Sequence, residues 1–104
     1  MPLELFTPYG SNTTAISASN TTASGALNLP SATMTSSVRV YNACSVAAFV
    51  MFAASSATAT ATTSHMPIPA GGVETFELSP NTTHAAVILA SGTGTVYFTT
   101  GRGA

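Results

Sequence analysis

The chain has 104 residues, 45% of them hydrophobic, and only five charged side chains: Glu4, Arg39, Glu74, Glu77 and Arg102. A chain of this length suits one domain that buries about two-thirds of its unfolded surface, which leaves little for a deep catalytic cleft. Two arginines and a net charge of -1 exclude a phosphate-binding stripe and a polybasic membrane contact, and a single cysteine excludes an intrachain disulfide.

In chain order, residues 1–10 are expected to form an extended N-terminal arm and residues 11–104 the domain proper. Leu3 to Thr7 alternates weakly and is closed by Pro8-Tyr9-Gly10, and prolines at both ends suit an edge strand. Met1-Pro2-Leu3-Glu4 lacks a basic n-region, so no signal peptide is expected. Leu3, Leu5, Phe6 and Tyr9 are apolar for a chain end. The arm either closes its own sheet or pairs with a neighbour's edge by strand addition. Thr14 to Ala18 suits a strand and Asn20 a turn, and Ala26 to Leu29 is a short strand stopped by Pro30.

Val38 and Val40 alternate with Arg39 and Tyr41, the period of a half-buried strand. Asn42 to Ser45 turns the chain. Val46 to Phe52 is apolar on both faces and reads as a central strand, while the run Val46 to Ala54 is far below the ~20 residues that span a bilayer. Ala57 to Thr63 alternates Ala and Thr, which predicts another strand. Met66-Pro67-Ile68-Pro69-Ala70-Gly71-Gly72 is forced into an extended path that ends in a turn. It either presents Met66 and Ile68 as a preorganised protein contact or simply crosses between sheets. Val73 to Leu78, Ala85 to Ala90 and Thr95 to Thr99 complete the strands, separated by Ser79-Pro80-Asn81 and Ser91-Gly92-Thr93-Gly94, and Gly101-Arg102-Gly103 reads as a flexible end. About eight strands at spacings of roughly 8–12 residues predict a single all-β domain, an antiparallel β-sandwich or jelly roll. The inner faces should hold Val38, Val40, Val50, Phe52, Phe76, Leu78, Val87, Leu89, Val96 and Phe98.

Candidate chemistry is sparse. Glu74 and Glu77 are three apart, on opposite faces of a strand, and the chain has no Asp to complete an acid–base pair or triad. His65 and His84 are far apart in sequence, so they read as loop histidines, with an ion shared on an oligomer axis as the alternative. Cys44 lacks a cationic neighbour in sequence and reads as a small buried hydrophobe or turn residue. The Asn-Thr-Thr triplets at 12, 20 and 81 match a glycosylation acceptor, but without a secretory signal they read as turn residues that bond the local backbone. No catalytic residue, cofactor or metal site is expected, and no enzyme.

Thirteen Ser and eighteen Thr stand where charge would usually be. Such an exterior has little charge repulsion to keep copies apart, which predicts a surface largely covered by partners; the alternative is a Thr-rich solvated monomer. Protein contacts are expected from Leu3, Leu5, Phe6, Tyr9, Met66 and Ile68.

The stretch from Val38 to Gly103 carries a family resemblance. It runs through Val38-Arg39-Val40, Asn42-Ala43, Ala48-Phe49-Val50-Met51-Phe52, Ala57-Thr58-Ala59-Thr60, the segment from Met66 to Phe76, and Gly92-Thr93-Gly94-Thr95-Val96-Tyr97-Phe98-Thr99-Thr100-Gly101-Arg102-Gly103. This stretch resembles small β-sandwich structural proteins of tailed bacteriophages, among them capsid decoration, or cement, proteins of jelly-roll type. The resemblance implies a virion protein made in the bacterial host cytoplasm and placed on the capsid exterior. Its partners would be the major capsid protein and its own copies, as homodimer or homotrimer, with no nucleic acid, membrane or small-molecule substrate. That group also holds tail, baseplate and head-fibre components. A carbohydrate-binding module is the alternative of another class, with Tyr9, Tyr41 and Tyr97 as its candidate aromatics.

Overall fold

The computed structural model describes residues 6–29 and 36–102. Among them are eight strands: β1 (Thr7–Ala18), β2 (Ala23–Ala26), β3 (Ser36–Asn42), β4 (Ala48–Ala53), β5 (Met66–Ile68), β6 (Val73–Leu78), β7 (His84–Leu89) and β8 (Gly94–Arg102). No helix is present among the described residues, hence none long and apolar enough to cross a membrane.

The strands form two four-stranded antiparallel sheets, in the orders β1-β8-β3-β6 and β2-β7-β4-β5. Each strand pairs with the one whose number completes nine: β1 with β8, β2 with β7, β3 with β6, β4 with β5. A chain folded into one long hairpin and then wrapped into two layers gives this order, which is that of a jelly roll.

The period-two pattern explains the core. Val38, Val40, Val50, Leu78, Val87, Leu89, Val96 and Phe98 are buried between the sheets, with Phe52 and Phe76 packed against them. All ten expected inner positions thus face inward. The Phe52 ring lies 5.6 Å from Phe76 and edge-on to Phe98 at 6.3 Å, geometries that add to simple area burial. Ile16, Ala18, Leu27, Cys44, Ala48, Ile68 and Ala85 also belong to this core.

Several expectations need correction. Pro8-Tyr9-Gly10 does not end the first strand, so residue 10 is no boundary between arm and domain. β1 runs through it, with Pro8 opposite Gly101, and the register then shifts before Thr13 pairs with Thr99. This bulge takes up the extra residues, and Gly10 supplies the left-handed φ of +90° within it. Leu3 and Leu5 lie outside the described residues. The short strand expected at Ala26 to Leu29 sits earlier, at Ala23–Ala26. Gly101 and Arg102 belong to β8 and are not a loose end.

The largest departure is Ala57 to Thr63, which joins no sheet. Ala59 and Ala61 are buried while Thr58, Thr60 and Thr62 are exposed. The two alanines lie on the outer face of the β2-β7-β4-β5 sheet, against Ala86, Met51, Ala53 and Ile88. The alternation therefore reports one-sided burial of a strap laid over a sheet. Its backbone is held from outside by the Thr22 hydroxyl, which accepts from the Ala61 N–H at 2.8 Å.

Asn42, at the end of β3, ties the layers together. Its side chain is fully buried, and its Nδ2 donates to the carbonyls of Val46 (2.9 Å), Ile68 (2.9 Å) and Pro69 (3.2 Å). Its Oδ1 accepts from the Cys44 N–H at 2.9 Å. One amide thus closes the β3–β4 turn and caps the free carbonyls after β5.

Candidate interaction surface

The two outer faces of the sandwich differ. The chain's own strap covers the β7-β4 part of the outer face of β2-β7-β4-β5, whereas the described residues leave that of β1-β8-β3-β6 open. On this open face the inward Val38, Val40, Val96 and Phe98 put Arg39, Tyr41, Tyr97 and Thr99 outward.

Register then assembles rows across the strands. One row is Ala15–Tyr97–Tyr41–Val73, the next Thr13–Thr99–Arg39–Thr75, and the third Pro8–Gly101–Ser37–Glu77. Of the four large hydrophobic side chains that remain exposed among the described residues, three share the first row: Tyr41 (42%), Tyr97 (37%) and Val73 (50%). The Tyr41 and Tyr97 rings are parallel to within 14° with centroids 6.0 Å apart. In the second row the Thr13 and Thr99 hydroxyls bond each other at 2.8 Å.

Gly101 explains how Phe6 reaches this face. A Cβ at Gly101 would collide with the Thr7 carbonyl and come within 2.8 Å of the Phe6 ring, so only glycine admits the start of β1 there. The Phe6 ring in turn sits under the Arg39 guanidinium, 4.6 Å from the ring centroid. Arg39 and Glu77 are the only charged side chains on the outward face among the described residues.

Of the expected contact residues, Phe6 lies on this face beneath Arg39. Tyr9 is half-buried, its hydroxyl 3.1 Å from the Ser36 hydroxyl. Met66 is 53% exposed on the edge strand β5, but Ile68 is fully buried opposite Ala48 and cannot be presented to a partner. Met66 and Ile68 share one face of β5, opposite the inward Val50 and Ala48, but only Ile68 is covered by the core. Tyr41 and Tyr97 were legible as outward residues of their strands. Their meeting with Val73 in one row was not, because that needs the pairing of β8, β3 and β6.

The titratable groups are dispersed. His65 Nδ1 accepts from the Thr62 N–H at 2.9 Å. The Thr83 hydroxyl donates to the Ala54 carbonyl at 2.8 Å, so His84 Nδ1, 2.8 Å from the same oxygen, serves as its donor. Glu74 and Glu77 are exposed on β6 and alternate between its two faces. Cys44 is buried, its thiol 3.7 Å from the Thr95 carbonyl, and desolvation pushes its pKa up from the ordinary value. No cluster of three or more His, Cys, Asp or Glu side chains that could hold a metal ion occurs among the described residues. Asn12 does not serve its local turn: it donates to the Asn28 carbonyl across the bulge of β1. Asn81 does occupy a turn, at φ 69°.

Searches of protein-family models, curated proteins and solved structures find no match to this chain.

At ~4.8 Å per strand and ~6.8 Å per row, the open face measures about 400 Å². Against a flat partner it would bury about 800 Å² in total, below the ~1,200 Å² of stable specific interfaces. One such contact alone is weak, and several on one body add through effective concentration.

Proposed function

We propose that this chain is a structural virion protein, a capsid decoration or cement protein of a tailed bacteriophage that lays its β1-β8-β3-β6 face on the outer shell and bridges neighbouring capsid subunits. The observation that carries this reading is the bare Tyr41–Tyr97–Val73 row on a molecule that covers its other apolar sheet face with its own strap. The resemblance over residues 38–103 supplies the virion context, and viral capsid domains are among the known hosts of the jelly roll, which supports the reading by analogy of fold only. The chain acts by binding and not by catalysis, and its partners are the major capsid protein and further copies of itself. The small face requires multivalent attachment, which a homodimer or homotrimer provides. With one cation and one anion on the face, attachment depends only weakly on salt.

Quantitative mass spectrometry of purified particles of the encoding phage tests this. Hundreds of copies per particle are expected. Tens or fewer would move the chain to the tail, baseplate or a head fibre, and absence from the particle would end the virion reading.

The parallel Tyr41 and Tyr97 rings favour one second reading, a carbohydrate-binding module, since sugars stack on exposed aromatic faces and lectin domains also use this fold. Micromolar binding on a glycan array, abolished by Tyr97→Ala, is the result that reading requires.

A further inference from the structure

The open face carries more information about its partner than its apolar row. Its two interior strands, β8 and β3, bear Tyr97, Tyr41 and Arg39, while the flanking strands bear small or polar residues apart from Val73. Tyr and Arg are the residue types that dominate binding energy, and they do so near the centre of a contact. Arg39 lies two residues before Tyr41 on the same face, about 6.8 Å away along the strand. Its guanidinium leans over Phe6 toward the Gly101 row, so a partner that spans all three rows, and not one confined to the Tyr41–Tyr97 row, removes water from it.

That removal is costly. A guanidinium taken out of water without a counter-charge loses several kcal/mol, and only an anion with good geometry offsets the loss. Arg39 is also held in place: its guanidinium rests on the Phe6 ring, which is seated over Gly101. Stacking of this kind fixes the planar fork and lowers the entropy cost of a two-pronged bond to a carboxylate.

We propose that Arg39, seated on Phe6 at the centre of the open face, pairs with a carboxylate side chain of the shell protein that this face covers. This rests on the decoration reading and adds the chemistry of the partner: an acidic residue ringed by flat, apolar surface that receives Tyr41, Tyr97 and Val73. Phe6 is a positioning residue that acts through Arg39.

The test is reattachment of purified chain to heads of the encoding phage from which it has been removed. Wild type, Arg39→Gln, Arg39→Lys, Phe6→Ala, Phe6→Tyr and Tyr97→Ser are compared after circular dichroism has confirmed folding. Arg39→Gln should bind about 10- to 100-fold more weakly, the range for hydrogen bonds to charged groups. Arg39→Lys and Phe6→Ala should fall in between, and Phe6→Tyr should restore wild-type binding. Wild-type attachment should weaken a few-fold between low and high salt, and Arg39→Gln should show no such dependence. Wild-type affinity and salt response in Arg39→Gln, with Tyr97→Ser defective, would overturn the carboxylate pairing and leave the decoration reading standing. Failure of the wild type itself to reattach would overturn both. A neutral saccharide bound through Tyr97 with no effect of Arg39→Gln would assign the face to sugar and also overturn the pairing.

Discussion

Asn42 is the side chain on which most buried hydrogen bonding converges. Its Nδ2 serves three carbonyls and its Oδ1 one N–H, all in the seam between the sheets. Asn42→Ala leaves these groups unsatisfied, and about 3 kcal/mol of unfolding free energy should be lost. Asn42→Asp should cost at least as much, because a carboxylate is an acceptor set against three acceptors. Urea unfolding measures both, and a loss below about 1 kcal/mol would show that water replaces the amide without penalty. Cys44 gives a second test. Its thiol is held above the ordinary 9.0 by desolvation, so the folded state keeps this proton after the unfolded chain begins to lose it. The resulting stability is complete below pH 9 and declines as pH rises through the folded-state value. Urea midpoints should therefore drop further between about pH 8 and about pH 10.5 in wild type than in Cys44→Ala. At this scale the sequence was most legible where one side chain alternates with another, as at Val38 and Phe98. Asn42 was readable only as a turn residue, since two of its three acceptors, the carbonyls of Ile68 and Pro69, come from a segment distant in the chain.

Among the elements, β3, β4, β6, β7 and β8 could be placed from apolar alternation and turn residues. The failures share a cause. Alternation reports which side of a segment is covered, and it does not report what the backbone bonds to. In β8 the cover is the opposite sheet; in residues 57–63 it is the segment's own neighbour sheet, without a ladder. The strap offers only Ala59 and Ala61 to Met51, Ala53, Ala86 and Ile88, so it is held weakly compared with the core. Ala61→Glu places a charge against apolar side chains and should release it. Hydrogen exchange should then show residues 57–63 losing protection while β4 and β7 keep theirs, with new binding of a hydrophobic dye. Simultaneous loss in all three segments would mean that the strap and the sandwich open as one unit.

For the molecule as a whole, class and strand number were within reach of the sequence, and strand order was not. β1 and β8 are at opposite ends of the described chain, and no local signal reports that Thr7 will lie opposite Arg102. The open face inherits that difficulty, since each of its rows takes residues from β1, β8, β3 and β6. The pairing of first strand with last also has a mechanical consequence. A pull applied between residues 7 and 102 loads the antiparallel ladder at its terminal pair, so the bonds part in succession, as in an opening zipper, and never share the tension. Stretching the molecule by its ends in an optical trap should peel β1 from β8 at low force. In the decoration role proposed above, a shell under internal pressure would therefore not be strengthened by pulling on this protein's termini. Any strain it relieves has to be transmitted sideways, through the flat of the sheet.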